Sequence, residues 1–317
     1  MSSYFLAAEP THSRWNRELP PRLEIESGDV VEMEMRDASG GQVQPDWTVE
    51  QFATMETGKI HSLTGPVLIG GAKPGHVLQI DVQAVEHLGW GWTSIIPGMG
   101  LLPERFPDFH LFIWTLEEKL TRSMVPAVVP LRPFCGVMGV APKEFGEHRT
   151  RPPGIFGGNL DIRHLGAGAT LYLPVQVDGA LFSAGDAHAA QGDGEVCING
   201  IEMPARARFR FTLHRDFSLA EPFAELPPED TQLWQAGSWL FIASRVDPRE
   251  AAKAVVLQAI DFIGSRMGLS EKHAYILCSI ALDLRIAQWV NHPTITVTGH
   301  LPKYLFPRHC WSGVFTP

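Results

Sequence analysis

The chain of 317 residues is long enough to bury one large core. Its composition, with 44% hydrophobic and 19% charged residues, is that of a globular protein and not of a disordered one. Its formal net charge of -9, with no basic stripe, argues against a nucleic-acid partner. No apolar run reaches the roughly 18 residues of a membrane span, no secretory signal opens the chain, and the four cysteines form no disulfide framework or zinc knuckle. We therefore expect a soluble, cytoplasmic protein that binds neither nucleic acid nor membranes.

The first part of the chain predicts short strands separated by turns, and the 30 glycines and 25 prolines favour a mainly β architecture. Residues 23–35 alternate apolar and polar side chains around the Gly-Asp at 28–29, which is a hairpin pattern. Two further strands flank the Ala-Lys-Pro-Gly turn at 72–75. His61 lies at the start of the first of them, where a lone histidine is either a structural residue or a metal ligand.

A loop rich in tryptophan and glycine follows at 90–102. Such a loop either closes an apolar core or lines a pocket and keeps water out of it. In the second case the residues that we expect to line the pocket are Trp90, Trp92 and Ile95. The next apolar element, at 133–142, carries Cys135, which is either an inert core thiol or a nucleophile.

Asn159 and Asp161 follow a double glycine and lie two residues apart. In an extended segment residues two apart share a face, so both side chains can point into the same space. Their oxygens suit a hard cation, and the amide of Asn159 also suits a substrate carbonyl. The alternative interpretation is a plain turn with local hydrogen bonds from these side chains.

The most informative stretch is 179–197, where a buried strand ends in a series of polar residues. They are Asp186, His188, Gln191, Asp193 and Glu195. On an extended strand Asp186 and His188 share a face, and Gly192 with Gly194 permits a turn that folds Glu195 back towards them. Carboxylate and imidazole are ligands for a Lewis-acid cation, and a spare carboxylate can act as a base. The alternative is an ordinary glycine-rich hairpin turn.

The last third of the chain adds strands and two helices. Residues 205–213 alternate strictly and predict a strand with three arginines on its solvated face, and 238–244 predict a buried strand. An Asp-Pro cap predicts a helix from 248 to about 268, and a serine cap predicts a second one from 270 to about 288. One further strand is expected between 290 and 306.

These elements predict a mainly β fold with an antiparallel sandwich-like or barrel-like core and a C-terminal α+β portion that carries the two helices. No repeat or low-complexity segment divides the chain. We therefore expect residues 1–317 to form a single unit. A weaker division would separate a β core at 1–215 from the α+β portion at 216–317.

Five segments of the chain resemble the acetamidase/formamidase family, and the similarity covers nearly the whole sequence. They are the His-x-Leu-Thr-Gly-Pro from His61, the Gly-Ala-x-Pro-Gly at 71–75, the tryptophan-rich loop at 90–102, the Gly-Gly-Asn-x-Asp at 157–161 and the stretch at 179–197. The resemblance implies hydrolysis of a short aliphatic amide such as formamide or acetamide to a carboxylate and ammonia, and a homo-oligomer. The chain has His76 where the family usually has aspartate; this departure lies in a turn.

The residue types favour water activated by a metal ion. There is no Gly-x-Ser-x-Gly elbow, although Cys197, two residues from Glu195, leaves a cysteine nucleophile open. The expected ligands of a divalent ion are His61, Asp161, Asp186 and His188, with zinc favoured and calcium possible because oxygen donors are abundant. The expected catalytic residues are Glu195 as general base, Asn159 at the carbonyl oxygen, and Asp193. Residues that would support the site from outside are Gln191 and Glu202; the latter matches a glutamate that closes the family's block.

Two other functions remain open at this point. A non-enzymatic β-sandwich protein could bind a small ligand or ion through the same residues, and it would bind an amide without releasing ammonia. A hydrolase of a larger or cyclic amide would share the chemistry and differ only in its pocket, since a few side chains decide which acyl groups fit.

Overall fold

The computed structural model describes residues 1–216, 218–219, 222–225, 238–288 and 295–307. Cys310 and the beginning of the predicted last strand lie outside these residues. The strands in the first half of the chain are β1 (Ser3–Leu6), β2 (Arg14–Trp15), β3 (Leu23–Ile25), β4 (Val30–Met35), β5 (Leu63–Ile69), β6 (Val77–His87), β7 (Trp90–Ile95), β8 (His110–Thr115), β9 (Leu120–Thr121), β10 (Val129–Pro130), β11 (Phe134–Gly139), β12 (His148–Arg149) and β13 (Gly157–Asn159).

The later strands are β14 (Thr170–Pro174), β15 (Phe182–His188), β16 (Glu202–Met203), β17 (Ala205–His214), β18 (Phe223–Glu225), β19 (Ser238–Arg245), β20 (Asp283–Gln288) and β21 (Ile295–Pro302). The helices are α1 (Val49–Phe52), α2 (Pro248–Met267) and α3 (Glu271–Ala281). The predicted mainly β fold with two helices towards the C-terminus is confirmed.

Two sheets form the β core. One has the order β1-β4-β17-β6-β14-β18 and is antiparallel except for the pair β1–β4. The other follows β13-β11-β15-β16-β7-β8, and β5 with its parallel neighbour β3 also pairs with β15. Phe182 of β15 packs against Phe209 and Phe211 of β17, with ring centroids 5.8 and 5.0 Å apart. The sheets therefore face each other across a shared apolar core, as in a sandwich.

A smaller three-stranded sheet, β19-β21-β20, lies under α2. Trp239 and Phe241 of β19 pack against Phe262 of the helix, with ring centroids 5.1 and 5.6 Å apart. The Asp247 carboxylate caps the helix N-terminus, and Gly268 ends the helix in the left-handed conformation, as the sequence predicts. No helix among the described residues is both long and apolar enough to span a membrane.

The predicted hairpin at residues 23–35 is wrong, although both of its strands exist. β3 pairs with β5 in one sheet, whereas β4 pairs with β1 and β17 in the other. The Gly28 N–H donates to the Phe211 carbonyl oxygen at 2.6 Å, and the Asp29 carboxylate accepts the Ser2 N–H at 2.6 Å. The turn thus carries the chain from one sheet to the other, and alternation within a segment does not reveal which neighbour a strand pairs with.

The second C-terminal helix is shorter than predicted. It ends at Ala281, Leu282 is extended, and the residues up to Gln288 form β20. The Leu284 N–H donates to the carbonyl oxygen of Asp193 at 2.9 Å, while the rest of β20 pairs with β21. These tertiary hydrogen bonds override the local helical preference.

The Phe182 contact between the sheets gives a stability prediction. Phe182→Ala removes a fully buried ring and leaves a cavity between Phe209 and Phe211, so the free energy of unfolding should fall by about 3–5 kcal/mol. Denaturant unfolding measures the change. The matched control is Phe5→Ala, because Phe5 is 55% exposed and its loss should change stability by less than about 0.5 kcal/mol. Equal effects of the two substitutions would contradict the facing arrangement of the sheets.

Candidate functional site

A small cavity opens at the end of β15, where strands and turns from several parts of the chain meet. Its volume is about 70 Å³. Its polar lining residues are His61, Arg151, Asn159, Asp161, Asp186, Glu195, Asn199 and Glu202. Its apolar lining residues are Ala38, Met55, Ile60, Trp92, Ile96, Met99 and Ile198. Most residues expected from the sequence to be ligands or catalytic groups therefore border one space.

His188 lies beside this cavity at the centre of a group that we call the His–acid cluster. The cluster consists of Asp161, Asp186, His188, Glu195 and Glu202. The Nε2 atom of His188 lies 3.6 Å from Oδ1 of Asp186 and 3.0 Å from Oε1 of Glu202. His188 belongs to two groups of possible metal-ligand atoms. Asp161 and Asp186 complete the first group, and Glu195 and Glu202 complete the second. Within each group the ligand atoms lie within 4.8 Å of one another. His61 extends the cluster, since its Nε2 lies 3.9 Å from Oδ2 of Asp186.

The backbone is strained where it presents these carboxylates. Asp161, Asp186 and Glu195 have φ values of 47°, 54° and 41°, in the left-handed region that side chains other than glycine rarely adopt. Such strain is typical of functional sites, where the surrounding structure holds it in place. Gly136 of β11 supplies the necessary room, because an added Cβ would lie 2.5 Å from Oδ1 of Asp161 and 2.9 Å from Oδ2 of Asp186.

Gln191 orients the His188 ring. The Gln191 side-chain nitrogen donates to the backbone oxygen of Asp161 at 2.9 Å, so its amide oxygen faces Nδ1 of His188 at 2.8 Å. Nδ1 therefore carries a hydrogen and donates it to Gln191, and Nε2 points towards the carboxylates. A neighbour that accepts from one imidazole nitrogen is the usual way in which proteins prepare the other nitrogen for a metal.

Burial sets the protonation of the cluster. Burial, reinforced by Asp186, raises the pKa of Asp161 to about 7. Burial raises the pKa of Glu202 to about 8 and that of Glu195 well above its ordinary value. Burial also disfavours charge on Asp186 and His188. The pKa of Asp186 is nevertheless lowered, because the imidazoles of His61 and His188 attract its negative charge. The pKa of His188 is raised, because Glu202 and Asp186 attract its positive charge. Without further positive charge, some of these carboxyl groups must hold protons.

The cavity concentrates buried polar atoms that lack hydrogen-bond partners. Eight such side-chain atoms occur among the described residues, and five lie here: Nδ1 of His61, Oδ1 of Asn159, Oδ1 of Asp161, Nε2 of His188 and Oε2 of Glu202. Oε1 of Glu202 lies 3.0 Å from Nε2 of His188, but the contact does not have the angles of a hydrogen bond. Unsatisfied buried atoms are rare in proteins and call for an unseen partner. Carboxylate oxygens and an imidazole nitrogen that converge in this way fit a divalent cation, which would replace the protons and satisfy these atoms.

Three residues expected at the site lie elsewhere. Asp193 turns away and pairs with Arg163, whose Nε lies 3.0 Å from Oδ1. Ile95 is buried in the main core, and Trp90 packs beside Trp92 without lining the cavity. Trp92 and Ile95 lie three residues apart on β7, so they point to opposite faces of the strand.

The structure also changes the expected place of Glu202 and adds residues that sequence reasoning missed. Glu202 contacts His188 directly and does not support the site from outside. The missed lining residues include Ile96, Met99, Arg151 and Asn199. The first two belong to the tryptophan-rich loop already expected to line a pocket, but nothing in the sequence singled out Arg151 or Asn199.

The cysteines do not favour a thiolate nucleophile. Burial raises the pKa of the Cys135 thiol to about 12 and raises that of Cys197 further. The Cys197 thiol donates to the carbonyl oxygen of Ser94 at 3.2 Å. Nucleophilic cysteines need a lowered pKa and partial exposure, and neither thiol lines the cavity.

An ion-pair network, partly buried, ties the turn that carries Glu195 to the C-terminal portion. Arg163 bridges the carboxylates of Asp193 and Asp283. The second oxygen of Asp283 accepts the Asp193 N–H at 3.1 Å. Arg285 also pairs with Asp283 at 3.4 Å. We call Arg163, Asp193 and Asp283 the clamp, because they connect the turn after β15 with the segment around Arg163 and with β20.

Comparison with known proteins gives consistent matches along the chain. The sequence model of the acetamidase/formamidase family matches residues 3–145 and 145–308. A formamidase of Methylophilus methylotrophus is 25% identical over 93% of this chain and 89% of its own length. The solved structure of an acetamidase from Bacillus halodurans is 30% identical, with a TM-score of 0.67 over 94% of this chain and 96% of its own. A γ-lactamase from Delftia acidovorans has a TM-score of 0.87 at 24% identity, over 93% of this chain and 89% of its own, which shows a shared fold.

The clamp gives a prediction for the stability of the turn. Asp283→Asn leaves the nearly buried Arg163 without one of its two anions, so the free energy of unfolding should fall by about 3 kcal/mol. Amide hydrogen exchange in residues 192–198 should become faster than in the wild-type protein. Asp46→Asn, at an exposed position, is the control and should change neither quantity. Unchanged exchange at 192–198 in Asp283→Asn would show that the clamp does not hold the turn.

Proposed function

The chain belongs to the acetamidase/formamidase family, and from that premise we propose that it hydrolyses a short aliphatic amide to a carboxylate and ammonia with the help of a divalent metal ion at the His–acid cluster. The observation that carries this proposal is the group of five unpartnered buried polar atoms around one small cavity. An amidohydrolase must exclude bulk water, bind a carboxamide and move one proton from water to the leaving nitrogen. The cavity offers groups for each task.

The residues that would hold the ion are His61, Asp161, Asp186 and His188, and Glu202 is close enough to join them. Zinc suits the two imidazoles, whereas the abundance of carboxylate oxygens keeps calcium as a second candidate. When bound, such an ion supplies Lewis-acid chemistry that polarises the amide carbonyl and makes water more acidic.

Glu195 is the proposed general base. It lines the cavity beside the cluster, and burial raises its pKa well above that of an ordinary glutamate. A carboxylate with a raised pKa can take the proton from the attacking water and, as a carboxylic acid, return it to the leaving amine. The left-handed backbone at Glu195 and the clamp on the same turn hold the side chain against the cluster.

Asn159 offers the substrate an acceptor. Its side-chain nitrogen donates to the backbone oxygen of Arg151 at 3.2 Å, and its buried Oδ1 has no partner. We therefore propose that Oδ1 of Asn159 accepts a hydrogen bond from the N–H of the substrate carboxamide. This differs from the sequence analysis, which expected Asn159 to bind the carbonyl oxygen. Trp92, Ile96 and Met99 form the apolar wall that faces the acyl group.

We also propose that the protein is cytoplasmic and homo-oligomeric. The free thiols of Cys135, Cys197 and Cys278 are those of a reducing compartment. The homo-oligomer is the assembly that the family resemblance implies.

Ammonia release tests the proposed reaction. The protein is incubated with formamide, acetamide and propionamide, as purified, after chelation, and after chelation followed by zinc or calcium. Release should fall on chelation and return with the correct ion, because the carboxylates cannot polarise the carbonyl alone. Release that is unaffected by complete chelation would contradict the metal. If the protein binds an amide but releases ammonia from none of the three, the alternative of a non-enzymatic ligand-binding protein is favoured.

Two substitutions separate the base from the ligands. Glu195→Gln should keep its metal content and lose at least about 100-fold in kcat, the usual contribution of a general base. His188→Ala should lose the ion as measured by elemental analysis of the purified protein. Glu86→Gln, on the exposed face of β6, is the matched control and should keep both. Full activity in Glu195→Gln would refute the role of Glu195 as general base. Full metal occupancy in His188→Ala would refute the role of His188 as a metal ligand.

A further inference from the structure

A second, larger cavity lies outside the His–acid cluster. Its volume is about 400 Å³, and we call it the vestibule. It shares six lining residues with the small inner cavity: Met55, Ile60, His61, Ile96, Met99 and Arg151. The two cavities therefore adjoin each other along this shared wall, so one ligand could occupy both. A formamide or acetamide molecule that occupies the inner cavity leaves the vestibule unused.

The vestibule is lined by three arginines, Arg14, Arg149 and Arg151. No aspartate or glutamate occurs among the described residues that line it. None of the three arginines forms an ion pair within the part of the chain that the structure describes; Arg14 donates instead to the backbone oxygens of Ser13 and Gly58. This local excess of positive charge stands in a chain whose formal net charge is -9.

Two of these arginines are direct neighbours across a strand pair. β2 and β12 form an antiparallel ladder in which Arg14 lies opposite Arg149. Like charges directly opposite each other in such a ladder destabilise it. Arg151 follows two residues later and lines both the vestibule and the inner cavity. An anion between these side chains would convert the repulsion into attraction.

Apart from the arginines, the lining of the vestibule is mainly apolar, and its other polar side chains are Thr57, His61 and Thr150. Its apolar lining residues include Phe52, Ile96, Met99 and Phe109. Phe109 is 37% exposed and its ring lies 6.2 Å from that of Phe52. A ligand that fits this space has a polar head in the inner cavity, an apolar middle and a negative end.

We propose that the preferred substrate is a primary amide whose acyl chain ends in a carboxylate. The carboxamide occupies the inner cavity, the methylene chain contacts the apolar walls, and the carboxylate binds the arginines, whose planar guanidinium groups match its two oxygens. Water adds to the carboxamide carbon, the C–N bond breaks, ammonia leaves, and the product is a dicarboxylate. This inference rests on the proposed amide hydrolysis and names its substrate class.

The test compares two amides of equal shape. Glutaramic acid carries a carboxylate after three methylenes, and 5-methylhexanamide carries an isopropyl group in its place. The ratio of their kcat/KM values should favour the acid and should fall as ionic strength rises, since partly exposed charges are screened by salt. Succinamic and adipamic acids, with two and four methylenes, locate the best chain length. Acetamide serves as the measure of basal hydrolysis.

Arginine variants connect the preference to the vestibule. Arg149→Gln and Arg151→Gln should each lower the acid-to-neutral ratio by about three- to fivefold, the size expected of partly exposed charge pairs. Arg208→Gln, exposed on β17 and outside both cavities, should keep the wild-type ratio. Glutarate, which cannot be hydrolysed, should raise the unfolding temperature of the wild type more than that of Arg149→Gln.

The outcomes separate this inference from the proposed function. Hydrolysis of acetamide with equal kcat/KM for the two matched amides overturns the inference and leaves the function intact. An acid preference that persists unchanged in both arginine variants overturns the assignment to the vestibule. Binding of glutarate that depends on Arg149, without ammonia from any amide, keeps the anion site and refutes the hydrolysis.

Discussion

Crowding of carboxyl groups around His188 is the constraint on which the rest of the site depends. Asp161, Asp186, Glu195 and Glu202 approach one imidazole inside the protein, where like charges are not screened by water. Such an arrangement persists only if protons or a cation neutralise it. The glycine at 136 and the left-handed backbone at three of the four acids are the local features that make the approach sterically possible.

The framework around the cluster supplies the rigidity that this strain requires. The turn after β15 is held by the pairing of β15 with β11 on one side and by the clamp on the other. Because Asp283 lies on β20, the C-terminal portion stabilises the turn of Glu195, although none of its described residues lines the inner cavity. A residue such as Asp193 can thus be essential to the geometry while its carboxylate faces away from the cavity.

Sequence spacing predicted the parts of the site that depend on local geometry. Asp186 and His188 share a face of β15 because they lie two residues apart, and the following glycines bring Glu195 back to them. The sequence did not show that Glu202 lies opposite His188, since strand pairing between distant segments leaves no local pattern. For the same reason the pairing partners of residues 23–35 and the end of the second helix were predicted wrongly.

The two adjoining cavities differ in their linings, since carboxyl groups and imidazoles meet at the inner one and arginines without acidic neighbours line the vestibule. Protons or a cation compensate the carboxyl groups of the His–acid cluster, and the unpartnered buried atoms there offer hydrogen-bond partners to a neutral carboxamide. In the proposed binding mode, the charges of Arg14, Arg149 and Arg151 hold the carboxylate of the substrate in the vestibule. A substrate with one neutral and one anionic end would therefore bind in a single orientation, with its carboxamide at the cluster and its carboxylate at the arginines.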